Sequence, residues 1–169
     1  IDYFGNGSKW NVKIEYLSEK FPLGTAGALT LLPKKIKDPI LIINGDVITR
    51  ARLRDIFRYH DKHKGEITIC AREHILSSPY GVIEVEGIHY KSMIEKPSFQ
   101  QLVNAGIYVV NPNLIDSIKK DEYLDMPNLI NDQKSKNKKI IVYPIHEYWI
   151  DIGKPELLNQ ATYDWSSSS

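Results

Sequence analysis

Stretches of uniformly apolar, β-branched residues alternate along this chain with stretches in which apolar residues recur at helical spacing. Ile40-Leu41-Ile42-Ile43 and Ile67-Thr68-Ile69-Cys70-Ala71 belong to the first kind, as does the run from Val103 to Val110. Such runs are typical of strands buried on both faces. Leu53, Ile56 and Phe57 have the second spacing and predict a helix over 53–64 that ends at Gly65. This helix and its two flanking strands predict a β-α-β unit with a parallel, right-handed strand pair.

Weaker patterns predict the remaining elements. A turn at Gly87 separates two strand-like segments, 80–85 and 90–95, and predicts a hairpin. Thr25 is a candidate cap for a short helix running to Leu32. The other predicted elements are strands at 12–17 and 139–143 and helices at 114–120, 126–136 and 155–163.

This order of elements predicts an α/β fold with a mixed central sheet. A chain of 169 residues is long enough for one domain with a sizeable core, and we expect that domain to span 1–165. The serine-rich segment 166–169 is low-complexity and is expected to lie outside the fold. Ligands of open α/β sheets bind at the carboxyl ends of the strands, which directs attention to the residues there.

Composition excludes several classes of function. The 22 basic and 21 acidic residues leave a net charge of +1, so no basic field favours nucleic acid as a partner. No apolar stretch approaches the length of a membrane span, and we expect a cytoplasmic protein. The single cysteine, Cys70, lies in an apolar run, which favours a small buried side chain over a nucleophile.

Two aspartates stand where a strand gives way to a glycine-containing turn. Asp46 follows the apolar strand in Asn44-Gly45-Asp46-Val47, and Asp151 lies in Trp149-Ile150-Asp151-Ile152-Gly153. Two carboxylates that meet on one hard cation would suit Mg²⁺, which prefers oxygen ligands and keeps waters and substrate phosphates. A turn or helix-cap role explains Asp46 equally well on its own tripeptide.

Two further segments are candidates for substrate contacts. Lys96 ends a predicted strand beside Pro97 and could meet a phosphate, while Glu95 could accept hydrogen bonds from sugar hydroxyls. An exposed Glu-Lys pair at a turn is the commoner origin of that dipeptide. The segment Gly24-Thr25-Ala26-Gly27 offers backbone amides to a base or phosphate, although small residues there also serve packing.

Seven short motifs, in order, give the chain a close resemblance to the sugar-phosphate nucleotidyltransferases, also called nucleotide-sugar pyrophosphorylases. They span nearly the whole chain apart from the serine tail, and their joint order is far more specific than any one of them. The motifs are Tyr3-Phe4-Gly5-Asn6-Gly7, Leu23-Gly24-Thr25-Ala26-Gly27-Ala28-Leu29, Asn44-Gly45-Asp46-Val47, Pro79-Tyr80-Gly81-Val82, Glu95-Lys96-Pro97, Asn104-Ala105-Gly106-Ile107-Tyr108 and Trp149-Ile150-Asp151-Ile152-Gly153.

The resemblance implies a Rossmann-like three-layer sandwich in which a sugar 1-phosphate attacks the α-phosphorus of a nucleoside triphosphate and pyrophosphate leaves. Asp46 and Asp151 match the family's magnesium-binding aspartates, and Lys96 matches the lysine that holds the sugar phosphate. The sugar-pocket positions correspond to Gly81, Glu95 and Asn104, and the loop beside the base corresponds to Gly24, Thr25 and Gly27. Mg²⁺ is the implied cofactor.

The chain also departs from the family, because no segment matches its glycine-rich triphosphate loop. The resemblance therefore implies an N-terminally truncated domain that is inactive by itself. The motif around Gly24 and Asp46 is most similar to the guanylyltransferase branch acting on mannose, heptose or hexosamine 1-phosphates, with GTP as the expected donor. The segments near Met126 and Tyr148 resemble members with CBS domains upstream, and a homo-oligomer is a further expectation. A regulatory homologue that binds these ligands without turnover is the alternative function.

Overall fold

The apolar runs of the sequence pair into one sheet in the computed structural model, which describes residues 1–167. The strands are β1 Ile40–Ile43, β2 Val47–Thr49, β3 Ile67–Ser77, β4 Val82–Glu86, β5 His89–Ile94, β6 Ser98–Val110, β7 Ile140–Ile145 and β8 Trp149–Asp151, and the α-helices are α1 Gly24–Gly27, α2 Leu53–His63, α3 Met126–Ser135 and α4 Pro155–Ser166. The four-stranded sheet has the order β1-β6-β3-β7. Strand β3 is antiparallel to β6 and parallel to β7, which confirms the predicted α/β class with a mixed sheet.

The predicted pairing of the strands on either side of α2 is wrong. Strand β6 lies between β1 and β3, so these two strands share no ladder. Strand β1 is also only partly buried, with Ile43 40% exposed, rather than covered on both faces. The sequence pattern indicates which residues are apolar, but it does not indicate which strands pair. Here β6, a strand from much later in the chain, lies beside β1.

The strand predicted over 12–17 does not form. Its backbone is irregular, and its amides pair within the first residues of the chain: Val12 N–H donates to the Gly7 carbonyl and Ile14 N–H to the Asn6 carbonyl. The Tyr16 hydroxyl likewise donates to the Gly5 carbonyl across 2.8 Å. An alternating pattern becomes a strand only where a second strand can pair with it, and the described chain offers none here.

The backbone divides into two compact units, Ile1–Ile40 with Asn111–Lys139 and Leu41–Val110 with the chain from Ile140 onward. The prediction of one domain over 1–165 stays a prediction. Helix α4 includes Ser166, while the last two residues of the serine tail, 168 and 169, lie outside the described residues. The first unit buries Leu23, Leu29, Leu114, Met126 and Leu129. The core of the second unit contains Ile56, Cys70, Ala105, Ile107, Val109 and Ile145.

Cys70 is fully buried, as its apolar surroundings predict, and burial raises the pKa of its thiol to about 12. The side chain is therefore a neutral part of the core at ordinary pH. The helices within residues 1–167 include none with the combined length and apolar character needed to cross a bilayer.

Thr25 caps a helix, although not the predicted one. Its hydroxyl oxygen accepts a 2.8 Å hydrogen bond from the Met126 amide, the first residue of α3, 101 positions away along the chain. The segment from Gly24 forms the four-residue α1 and then a 3-10 turn over Ala28–Leu31. The predicted helix at 114–120 is likewise a 3-10 helix, Pro112–Ser117.

Replacing Thr25 by valine should destabilise the protein by about 1 kcal/mol, because one end of α3 loses the oxygen that accepts an unpaired helix amide. Urea unfolding followed by circular dichroism measures the change. Thr162→Val is the matched control, since the Thr162 hydroxyl only donates to the Leu158 carbonyl within exposed α4. Equal destabilisation by the two substitutions would contradict the capping role.

Candidate active site

A short antiparallel ribbon brings the two predicted metal-binding aspartates together. Strand β2 pairs with β8 so that Val47 lies opposite Asp151. Asp46 immediately precedes β2, and its carbonyl oxygen accepts a 2.8 Å hydrogen bond from the Ile152 amide. Residues 105 positions apart in sequence thus become neighbours through backbone hydrogen bonds.

Their carboxylates converge on the space above Gly153. A Cβ atom at Gly153 would lie 3.0 Å from the Asp151 Oδ1 atom and 3.7 Å from the Asp46 Oδ2 atom. The Gly153 amide donates to Asp151 Oδ1 across 2.8 Å and so holds this carboxylate in place. Both aspartates are exposed, and neither forms an ion pair with another described residue. Two neighbouring carboxylates without a positive partner favour a cation between them.

The chemistry of this pair fits a magnesium ion that also binds substrate. Within residues 1–167, no group of three or more histidine, cysteine, aspartate or glutamate side chains forms a metal cage. Magnesium, however, is commonly bound by one or two carboxylates together with waters and substrate phosphates. Asp46 and Asp151 could therefore hold Mg²⁺ in the presence of a phosphate ligand.

Close to Asp46, strand β6 makes a bulge between Asn104 and Tyr108. From Tyr108 to Asn104, β6 advances four residues while its partner β3 advances two, from Ile69 to Ala71. Hydrogen bonds pair with the backbone groups released by the bulge. The Trp149 indole N–H donates to the Ala105 carbonyl across 2.8 Å, and the backbone amide of Asn44 donates to the Gly106 carbonyl across 2.9 Å. Bulges of this kind redirect a side chain and recur beside functional sites.

The bulge fixes the orientation of Asn104. Its Oδ1 atom accepts a 3.1 Å hydrogen bond from the Gly106 amide, and its Nδ2 atom donates to the Tyr108 hydroxyl across 2.5 Å. Burial raises the pKa of Tyr108, against the lowering effect of the Asn104 hydrogen bond, so this hydroxyl remains protonated. One N–H and one lone pair of the Asn104 amide remain for a ligand.

The hairpin and the bend after it carry three other predicted site residues. A Cβ atom at Gly81 would lie 2.8 Å from the Glu95 Oε2 atom, so this glycine leaves room for the carboxylate. Lys96 is exposed and has a φ of +45°, a left-handed backbone conformation uncommon outside glycine. Such strain is often found at functional sites. No described acidic side chain forms an ion pair with Lys96.

The glycine-rich segment 24–27 in the first unit uses its amides internally. The amides of Ala26 and Gly27 donate to the Leu124 carbonyl across 2.9 and 3.0 Å, and the Thr25 amide donates to Asp125 Oδ1 across 3.3 Å. A Cβ atom at Gly24 would lie 2.7 Å from the Leu124 carbonyl oxygen. These amides are therefore not free to bind a base or phosphate, and close packing accounts for the glycine.

Sequence reasoning did not assign roles to several residues that build the site. Asn44 and Trp149 pair with the bulge, Tyr108 orients Asn104, and Gly153 admits both carboxylates. All four lie inside the sequence motifs that carry the family resemblance, so the sequence identified their positions but not their roles. The roles of Asn44 and Trp149 depend on hydrogen bonds between distant segments, which local spacing does not encode. Tyr108 and Gly153 act on nearby residues, but only in the backbone geometry that the bulge and the β2–β8 ribbon provide.

Comparisons with known proteins relate the chain to one family. The family model described as "Nucleotidyl transferase" matches residues 2–168. A mannose-1-phosphate guanyltransferase of Pichia angusta is 37% identical over 161 residues, covering 88% of this chain and 43% of the relative. Mannose-1-phosphate guanyltransferase 2 of Candida glabrata is 32% identical with the same coverage. This chain therefore spans less than half the length of these relatives.

Among solved structures, HddC from Yersinia pseudotuberculosis has a similar fold. Its TM-score is 0.70 at 22% identity, and the match covers 97% of this chain and 72% of the HddC chain. A putative glucose-1-phosphate thymidylyltransferase from Bacillus anthracis gives the same TM-score at 21% identity, covering 96% of this chain and 69% of the other.

Gly106→Ala should destabilise the protein by about 1–3 kcal/mol, because Gly106 has a φ of +68° and a Cβ atom there would lie 2.8 Å from Asn44 Nδ2. Gly45→Ala is the control, since Gly45 has no atom within 4 Å of its Cβ position. Chemical denaturation of both variants compares their free energies of unfolding. If Gly106→Ala were as stable as Gly45→Ala, the tight packing of the bulge against Asn44 would be wrong.

Proposed function

The chain belongs to the nucleotidyl transferase family, and we propose that its protein transfers a nucleotidyl group from a nucleoside triphosphate to a sugar 1-phosphate. The main support for this proposal is that the Asp46 and Asp151 carboxylates converge beside Gly153. The names of the similar relatives support mannose 1-phosphate as the sugar substrate and GTP as the donor.

In the proposed reaction, a phosphate oxygen of the sugar 1-phosphate attacks the α-phosphorus of the triphosphate. The new P–O bond joins the two substrates, and the bond to the β-phosphate breaks to release pyrophosphate. Two anions must approach each other, and unit charges about 4 Å apart interact by roughly 4 kcal/mol at an effective dielectric near 20. Mg²⁺, when held by Asp46 and Asp151, supplies the compensating positive charge.

Lys96 is proposed to contact the phosphate of the sugar 1-phosphate. The Lys96 side chain is exposed and forms no ion pair with a carboxylate of the described residues. No such carboxylate would therefore compete with a phosphate for its ammonium group. The bend at Lys96, with its positive φ, sets the direction in which the side chain leaves the backbone. Positioning and charge compensation would then account for most of the catalysis.

The sugar is proposed to contact Glu95, Asn104 and the backbone at Gly81. Glu95 is exposed and can accept hydrogen bonds from hydroxyl groups, and Asn104 has one remaining donor and one remaining acceptor. The missing side chain at Gly81 keeps the approach to Glu95 open. A hydroxylated ring suits this set of polar groups.

The segment with Gly24, Thr25 and Gly27 is proposed to lie beside the base of the nucleotide. Because the amides of Thr25, Ala26 and Gly27 already donate within the first unit, such a contact would use the Gly24 amide, carbonyl oxygens or the Thr25 hydroxyl proton. Guanine carries N–H groups that can donate hydrogen bonds to backbone carbonyl oxygens. Base selection would therefore depend on acceptors in this segment.

The test is a pyrophosphate-release assay on the full-length protein carrying this sequence, with Mg²⁺, GTP and mannose 1-phosphate. We expect turnover, and we expect Asp46→Asn and Asp151→Asn each to lower kcat about 100-fold or more, since each removes one metal-binding charge. Asp61→Asn is the control, because Asp61 is an exposed residue of α2 outside the site. Circular dichroism confirms that each variant is folded.

Other nucleoside triphosphates and sugar 1-phosphates are assayed in parallel, and so is the 169-residue chain by itself, which we expect to be inactive. Absence of pyrophosphate release from folded full-length protein with every substrate pair would refute the transferase proposal. Sugar-phosphate binding without release would support the regulatory homologue instead. Full activity of Asp46→Asn or Asp151→Asn would refute the assignment of the metal-binding pair.

A further inference from the structure

Trp149 connects two elements that carry proposed site residues. Its indole N–H donates to the Ala105 carbonyl across 2.8 Å, and Ala105 directly follows Asn104. Trp149 also lies two residues before Asp151 in β8. Side chains alternate between the two faces of a strand, so the indole and the Asp151 carboxylate leave the same face of β8. A single side chain thus joins the bulge bearing Asn104 to the strand bearing Asp151.

This hydrogen bond pairs the indole N–H with a backbone carbonyl of the bulge. Ala105 is fully buried, and the bulge removes it from the regular ladder between β3 and β6. A buried carbonyl oxygen without a donor is strongly disfavoured. The neighbouring Gly106 pairs through its amide with Asn104 Oδ1 and through its carbonyl with the Asn44 amide, so the indole supplies the donor that the Ala105 carbonyl requires.

We propose that Trp149 is a positioning residue that sets the placement of Asn104 relative to Asp151 and thereby couples sugar 1-phosphate binding to metal binding. The inference rests on the proposed function for the roles of Asn104 and Asp151. Without the indole N–H, the hydrogen bond between Trp149 of β8 and the Ala105 carbonyl of the bulge would be lost. The Asn104 amide and the Asp151 carboxylate would then shift relative to each other.

A purely structural role for Trp149 makes a different prediction. The indole is partly buried and packs against the hydrophobic core of the second unit. If packing were its only contribution, a substitution would lower stability and the active fraction. It would leave the sugar and metal dependence of the remaining active enzyme unchanged.

The test replaces Trp149 by phenylalanine and, separately, by 3-benzothienylalanine, which keeps the bicyclic shape and lacks the N–H donor. In the full-length protein, we expect both substitutions to raise the KM for mannose 1-phosphate and the Mg²⁺ concentration for half-maximal rate, each about 10-fold. Trp10→Phe is the matched control and should change neither, because Trp10 is an exposed residue packed on Tyr3 and Phe4 in the first unit.

Asn104→Ala supplies the second half of a double-substitution cycle. Alone it should raise the KM for mannose 1-phosphate, and in the Trp149→Phe background it should add little further, because the two substitutions disturb the same contact. Full additivity of the two effects on KM would overturn the coupling. So would a fall in kcat in both Trp149 variants with KM and Mg²⁺ dependence unchanged.

Nuclear magnetic resonance tests the positioning without any turnover. The Trp149 indole signal, identified by its loss in Trp149→Phe, should exchange slowly with solvent. The same substitution should shift the Asn104 side-chain amide and the Gly106 backbone amide, whereas Trp10→Phe should leave both in place. If the wild type turned over no sugar 1-phosphate, the transferase proposal would fail separately. Unchanged Asn104 and Gly106 signals in Trp149→Phe would overturn the positioning role itself.

Discussion

The antiparallel pairing of β2 with β8 is the constraint on which the candidate site depends. It sets Val47 opposite Asp151 and joins the Asp46 carbonyl to the Ile152 amide across 2.8 Å. Asp46 alone is an ordinary turn residue and Asp151 the last residue of a short strand, and the ribbon makes them a pair of neighbouring negative charges. Gly153 completes the arrangement, because any side chain there would crowd the Asp151 carboxylate. The metal chemistry proposed for the protein therefore originates in backbone hydrogen bonds of two three-residue strands.

The same region shows how a sheet can present polar groups without losing its core. The bulge between Asn104 and Tyr108 removes a short stretch of β6 from its ladder with β3, and Trp149, Asn44 and Asn104 pair with backbone groups of that stretch. Ile107, still within the bulge, and Val109, just after it, both pack in the core. A polar, oriented amide and a buried apolar strand can thus follow each other within a few residues.

The sequence predicted the parts of this structure that depend on local pattern. Apolar runs identified β1, β3 and β6, and helical spacing identified α2, because burial of side chains enforces those periods. Strands β2 and β8, of three residues each, are too short to show a period. The strand expected at 12–17 had the right alternation but no pairing partner, and the position of β6 between β1 and β3 depends on contacts distant in sequence. The order of the motifs located the candidate residues. The glycines of segment 24–27 did not reveal that its amides donate hydrogen bonds to Leu124 and Asp125.

Asp46 and Asp151 are proposed to hold one metal ion together with the phosphates of the substrate. The most direct measurement is anomalous X-ray scattering at the manganese edge from crystals of the full-length protein grown with Mn²⁺ and GDP-mannose. We expect an anomalous peak in contact with both carboxylates and with the diphosphate of the ligand. A bound diphosphate with no peak at these two side chains, or with a peak held by other residues, would contradict it.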